Sequence, residues 1–402
     1  MAPAIRSSIP GLYRLDAPAL AERRPIPALA GAAGIKVDWQ PLNSLDTADI
    51  ARWRDLVRRA LEPNVFLEPA FARAAAAHLP GLDIGVLLVR AGVRLLGFLP
   101  GHVEGLAHGR PVATFRAWTH PFAPLSTPLV DREAAANVVA ALLEALPKLP
   151  GSPRLALFPL IDEQGPVASL LAERLRRSGR TAYRLDPHLR AALVCGEDHP
   201  LRDVAPKKLK ELRRQRRRLA EAGALTRDTI TAAGAIGAAV ADYLAVEAHG
   251  WKKRSGSAAV LDASSTRFLT EAVAGLAAEG KARIDLLKLG AAIAATITLI
   301  SGNRAWFWKT AYDEDFARYS PGVQLALDLS EALGQDPNLA LVDSCAVADH
   351  PMIDHLWGGR LAVADWLVPL GGRGSFMAGI AAERMRRAIV SPLKALRARL
   401  LH

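Results

Sequence analysis

The sequence predicts an α/β protein with mixed, mainly antiparallel sheets flanked by helices, laid out as two successive halves of the same order. Three observations lead there. Short apolar runs alternate with stretches of helical period along the chain. Each half holds a meander of three strands with glycine at its turns, followed by a helix and a further strand. The chain has 402 residues, half of them apolar, which is more than one domain on a prior of about 150 residues each.

Residues 1–40 are rich in Ala, Pro and Arg and are expected to form a poorly ordered extension. Asp46-Thr47 is expected to cap a helix through Arg59, and a second helix runs from Glu68 to Leu79. Gly85–Arg90 and Val93–Leu99 flank Ala91-Gly92 as a hairpin, and Thr114–Trp118 is the third strand. A helix (Ala134–Leu146), a strand (Arg154–Phe158), a helix (Val167–Ser178) and a strand (Thr181–Leu185) complete the first half.

The second half opens with a basic helix, Pro206–Ala222, and continues with helices Ile236–Ala248 and Ser264–Glu279. Strands Ile284–Lys288, Ala291–Ile300 and Ala305–Ala311 follow, joined by Leu289-Gly290 and Ser301-Gly302-Asn303. Tyr319-Ser320-Pro321-Gly322 starts a helix that stops at Gly334. Serine is read as its cap and proline as its first residue. Strand Leu339–Asp343, a short helix near Met352–Trp357, strand Leu361–Val368 and a basic helix Ala378–Leu401 interrupted at Pro392 end the chain. The expected divisions are 41–190 and 191–372, with a helical tail at 373–402.

The net charge is +11, and much of it lies between Lys207 and Arg218, where eight basic residues face Glu211 alone. Two cysteines, Cys195 and Cys345, are too few for a disulfide framework or a zinc site and fit a reducing compartment. The longest apolar run, Gly290–Ile300, is too short to span a bilayer, and no signal-type apolar segment opens the chain. A cytoplasmic protein is therefore expected. His350, His355, Asp349 and Asp354 share one short Pro-containing segment that does not close a ligand set, so no metal is expected. Walker, Rossmann and nucleophile-elbow motifs are absent.

Several residues together resemble a known family. They are Leu212-Arg213-Arg214 through Arg217-Arg218-Leu219 with Gly223, then Glu247, Trp251-Lys252 and Arg254-Gly256. Gly290, Ala294, Tyr312-Asp313, Phe316, Tyr319-Ser320-Pro321-Gly322 and Asp343 complete the set. The pattern resembles the GNAT-type acyltransferases of the CelD/BcsL class, named for a link to bacterial cellulose biosynthesis and similar to the FemAB peptidyl transferases. It departs at the pyrophosphate loop, where only Ser320-Pro321-Gly322 stands in place of the usual Arg/Gln-x-x-Gly-x-Gly/Ala.

The resemblance implies tandem GNAT-like domains, a degenerate one at 41–190 and an acyltransferase domain at 191–372, with acetyl-CoA or another acyl-CoA as co-substrate. Lys309, Thr310, Ala311, Tyr312, Ser320, Pro321, Gly322 and Val323 would then hold the coenzyme, and Trp251, Lys252 and Trp308 the acceptor, an amine or hydroxyl in polysaccharide or cell-envelope metabolism. Asp313 or Asp343 is the candidate base and Tyr319 or Tyr312 the candidate proton donor. Two alternatives stay open: a non-catalytic scaffold of polysaccharide synthesis, and a FemAB-like aminoacyl-tRNA-dependent transferase. The basic helix reads as a solvated face, as a site for the coenzyme 3′-phosphate or a sugar nucleotide, or as a nucleic-acid contact through Arg213, Arg214 and Arg217.

Overall fold

The computed structural model describes residues 34–79, 84–196, 201, 204–250 and 262–400, with the side chains of the last helix described to residue 388. Residues 1–33, and with them most of the expected N-terminal extension, lie outside the described residues, as do Trp251, Lys252 and Arg254-Gly256. The first half comprises β1 (Ile35–Pro41), α1 (Thr47–Arg59), α2 (Pro69–His78), β2 (Gly85–Ala91), β3 (Arg94–Glu104), β4 (Thr114–Ala117), β5 (Leu129–Val130), α3 (Ala135–Ala145), β6 (Leu155–Asp162), α4 (Pro166–Arg177) and β7 (Tyr183–Val194). The second begins with α5 (Pro206–Glu221), β8 (Leu225–Ile230), α6 (Ala233–His249) and α7 (Ala263–Ala278). It continues with β9 (Ala282–Leu289), β10 (Ala291–Ser301), β11 (Arg304–Tyr312), α8 (Pro321–Gly334), β12 (Leu341–Asp343), β13 (Gly359–Pro369) and α9 (Arg373–Leu400).

All thirteen described strands join one sheet in the order β1-β2-β3-β4-β6-β13-β7-β12-β11-β10-β9-β8, with β5 on β3. Only β4 with β6 and β11 with β12 run parallel; every other pair is antiparallel. Each half thus repeats one motif, in which a meander leads through a helix to a strand parallel with its last member. β13 crosses back and lies between β6 and β7, so the two halves share one continuous sheet.

Three strands lie outside the sequence expectation. In β1 the apolar Ile35, Val37 and Trp39 alternate with Lys36, Asp38 and Gln40, the two-residue period of a strand with one covered face. β8 (LTRDTI) has no fully buried residue, as suits a sheet edge, and β5 is only two residues long. β7 runs nine residues past the expected Leu185 because it pairs with both β13 and β12. The last helix starts at Arg373 and continues through Pro392 instead of breaking there. The short helix expected near 352–357 is one turn, Ile353–His355.

The principal core also ignores the division into halves. Val65, Phe66 and Phe71 of the first half pack with Tyr243, Phe268, Trp306 and Trp308 of the second. Phe71 stands 5.2 Å from Phe268 and 5.5 Å from Trp308, both edge to face, an arrangement aromatic quadrupoles favour.

Candidate active site

β11 and β12 stay paired for three residues only, Arg304 with Leu341, Ala305 with Val342 and Trp306 with Asp343. β12 then ends, while β11 runs on to Tyr312 along β10. The strands therefore part, and among the described residues no strand pairs with the β12-facing edge of Phe307–Tyr312. Asp313 donates its N–H to Ile293 O at 2.9 Å on the β10 side. Since successive residues of a strand turn their peptide groups to opposite sides, Tyr312 directs its own N–H and C=O to the open side. A bulge at Trp308 lets the neighbouring Lys309 share its face: the Lys309 ammonium lies 4.3 Å from the Phe122 ring centroid and 5.8 Å from that of Trp308.

The start of α8 lies at the end of this opening. Pro321 and Gly322 are buried in its first turn, which carries no acidic side chain. Ser320 occupies the cap position, but its side chain makes no capping bond, a correction to the sequence expectation. It sits instead in the left-handed region at φ 52°, and its carbonyl accepts from the N–H groups of Val323 and Gln324, each at 3.0 Å. Cys345 (φ 55°) and Asp349 (φ 56°), just past β12, share that rare conformation. Two of the six described non-glycine residues with positive φ, Ser320 and Cys345, thus lie by the gap, where backbone strain often marks a working site. The Tyr312 ring leans on Gly322, where an added Cβ would meet Cδ1 at 3.3 Å, and the Tyr312 carbonyl approaches Gly250, where one would meet it at 2.9 Å. The end of α6, the end of β11 and the start of α8 converge on Tyr312.

The first half has the same strand parting after Arg116 and Leu157, with a buried ion cluster ahead of its helix. Asp131, fully buried just ahead of α3, accepts from the Glu133 N–H at 3.0 Å and from Arg94 at 2.8 and 3.1 Å, and it pairs with Arg59.

The predicted acids and tyrosine fall in different settings. Asp343 is 3% exposed and paired with Arg190, itself 1% exposed; its other oxygen accepts the Cys345 N–H at 2.9 Å. Asp313 is half-buried and caps the 314–319 turn by accepting the Asp315 N–H at 3.0 Å. Tyr319 packs beside Leu219 and Tyr312, with the Arg318 guanidinium 4.7 Å from its ring centroid. Burial and the nearby charge of Asp343 raise the Cys345 thiol well above its usual range, which removes it as a nucleophile. Trp308 donates its indole N–H to the Phe122 carbonyl at 2.7 Å. Its ring joins Phe71, His120 and Phe122 of the first half in one aromatic cluster. Burial, then the charge of Lys309, pushes His120 down to about 3, so it stays neutral. Sequence reasoning assigned no role to Glu247, which is 1% exposed and accepts the Tyr243 hydroxyl at 2.9 Å one turn before Gly250. Its signal was an acid on the inward face of α6.

Two copies of meander, helix and parallel strand, with strands parting beside a helix start, define the architecture of a GNAT-type acyltransferase. Residues 206–349 match the family described as acetyltransferase (GNAT) domain, and the chain is an acyltransferase carrying that domain. No curated protein matches the chain. Its fold is similar to that of FemX, at 9% identity over 82% of this chain and 96% of that one with a TM-score of 0.52. It is also similar to a conserved protein of unknown function from Bacteroides thetaiotaomicron, at 11% identity over 83% and 100% with a TM-score of 0.53. A tandem GNAT protein from the clavulanic acid biosynthesis pathway aligns over 84% of this chain and 99% of its own at 19% identity, with a TM-score of 0.41. At these identities the likeness is one of fold.

Proposed function

We propose that the second half binds an acyl-CoA in the gap between β11 and β12 and transfers its acyl group to an amine or hydroxyl acceptor held at the seam with the first half. The observation that carries this is the parting of the two strands after Trp306 and Asp343, beside an α8 start free of acidic side chains. In this reading the pantetheine arm lies along Thr310–Tyr312, and the thioester carbonyl accepts from the outward N–H of Tyr312. The diphosphate lies near Ser320, Gly322 and Val323, toward the positive end of the helix dipole.

Lys309, steadied by Phe122, faces the seam and is assigned to the acceptor side with Trp308. The acceptor must lose a proton as it attacks, and the departing thiolate must gain one. Asp313 and Glu247 are the proposed proton acceptors, since Asp343 is committed to Arg190, and Tyr319 or Tyr312 supplies the proton to sulfur. The resemblance of residues 207–345 to the CelD/BcsL class points to a saccharide or envelope component as acceptor.

Calorimetric titration with acetyl-CoA and longer acyl-CoAs, for the native chain and for Gly322→Val, tests the assignment. The valine Cβ meets the Tyr312 ring edge at 3.3 Å, and its branches would reach into the helix start. Micromolar binding lost in the variant, with stability kept, is the expected result. Undiminished binding in Gly322→Val, or no binding of any acyl-CoA to the native chain, would sink the reading.

A further inference from the structure

α5 is amphipathic in an unusual sense. Leu212 and Leu219 are buried, and the exposed side is basic. Two of its arginines have carboxylate partners: Arg214 binds Glu211 at 2.7 and 2.9 Å, and Arg216 binds Asp328 at 2.9 and 3.0 Å. Lys210, Arg213 and Arg217 have none among the described residues. Three and four residues apart, they form one stripe along the helix, about 10 Å long at 1.5 Å per residue. That stripe borders an open groove of about 670 Å³ whose other lining residues are Arg216, Ala220 and Leu225. Ionic and apolar walls thus meet in a space of nucleotide size.

The groove lies at the same end of the sheet as the start of α8. Gln324, in the first turn of α8, donates its side-chain N–H to the Leu212 carbonyl at 2.7 Å, one residue from Arg213. Leu219 packs with Tyr312, Phe316 and Tyr319. Leu225 pairs with Leu289 at the β9–β10 turn, the end at which β11 reaches Tyr312.

We propose that this groove receives the phosphorylated nucleoside end of the acyl donor, with Lys210, Arg213 and Arg217 on its phosphate and Ala220 and Leu225 against its base. The proposal rests on the acyl-CoA reading above and deepens it. The short stripe suits one or two phosphates better than a long polyanion. No aromatic residue lines the groove for base stacking along a strand. A membrane surface fits poorly, because the helix turns its leucines inward.

The test compares acetyl-CoA with 3′-dephospho-acetyl-CoA by calorimetry, in the native chain and in Arg213→Gln/Arg217→Gln. Both arginines are exposed, so the variant keeps the packing of α5, and Arg216 is left on Asp328. The native chain should bind the 3′-phosphorylated donor at least tenfold more tightly. The double variant should lose that preference while its affinity for the dephospho form is unchanged. Equal native affinities, or a preference that survives in the variant, overturn the groove assignment and leave the acyl-CoA reading standing. No binding of either donor overturns both. In a third arm, a 20-nucleotide homopolymeric RNA competes with acetyl-CoA. RNA binding tighter than donor binding, weakening steeply with salt and lost in the variant, would identify a polyanion surface and overturn the proposal.

Discussion

Replacing Asp343 by alanine removes one partner of an ion pair in which both side chains are almost fully buried, 4% and 1% exposed. Among the described residues the Arg190 guanidinium would then keep only the Pro124 carbonyl, at 3.1 Å. Its burial without a counter-charge costs about 3–5 kcal/mol. The Cys345 N–H would lose its acceptor too, at about 1 kcal/mol, in a residue already held at φ 55°. Against a total stability of about 5–15 kcal/mol this is a large loss. Urea unfolding followed by circular dichroism should show it. Arg190→Met in the same background should recover a good part, because it removes the stranded charge. Coenzyme release, measured in parallel, should fall only as far as the folded fraction falls. If Asp343→Ala stays within about 1 kcal/mol of the native chain yet loses turnover, and Asp343→Asn abolishes the acidic limb of the pH profile, Asp343 is the catalytic base and the structural assignment is wrong.

Glu62 gives a pH-dependent test. Its burial raises the carboxyl to about 7, against the opposing charge of Arg304. An acid with a raised folded-state value favours folding when protonated, so its penalty is absent below the unfolded value of 4.5 and grows as pH climbs through 7. The rise from 4.5 to about 7 corresponds to about 3 kcal/mol. Glu62→Gln should therefore gain urea resistance over the native chain at pH 8 and little at pH 4; equal gains at both would refute the burial argument. Trp308→Phe deletes the bond to Phe122 and should cost about 1 kcal/mol. It should also raise the KM for the acceptor while leaving that for the donor unchanged. A rise in the donor KM instead would remove Trp308 from the acceptor wall.

Much of the second half was legible in its turns. Gly290 and Gly302 adopt φ 75° and 55° at the two hairpin tips, conformations glycine reaches without a Cβ penalty, so the meander could be placed within a residue or two. The helix after Ser320 was legible for the same kind of reason: proline fits its first position and glycine its end. The role of Ser320 was not, because whether a serine caps with its side chain or bends into the left-handed region depends on the chain it must meet, here β11 and Tyr312. The Asp343–Arg190 pair joins residues 153 apart, and the Trp308–Phe122 bond spans 186. No local pattern encodes such partners. An acid at a strand end reads equally well as a base or as half of an ion pair until its neighbour is known. The buried ion cluster of the first half was equally silent, since Asp131 gains its meaning only from Arg59 and Arg94.

The shared strands bear on how the site is held together. β7 pairs with β12 through Ala192–Val194 and with β13 through Tyr183–Ala192, so it serves both halves. Arg190, on that strand, binds Asp343 at the end of β12 and the Pro124 carbonyl in the first-half segment that follows Phe122. On the proposed reading, one guanidinium therefore ties the strand end where the coenzyme gap opens to the segment that supplies the acceptor wall. The indole of Trp308 makes a second tie, from β11 to the same segment. A wall fastened at two points to a continuous sheet cannot swing away as a lid without breaking buried bonds. On that reading donor and acceptor sides are set relative to each other before either substrate arrives, which lowers the entropic cost of bringing them together. A substitution that loosens Arg190 or Trp308 should accordingly weaken the coupling between the two sides, even though neither group touches the thioester.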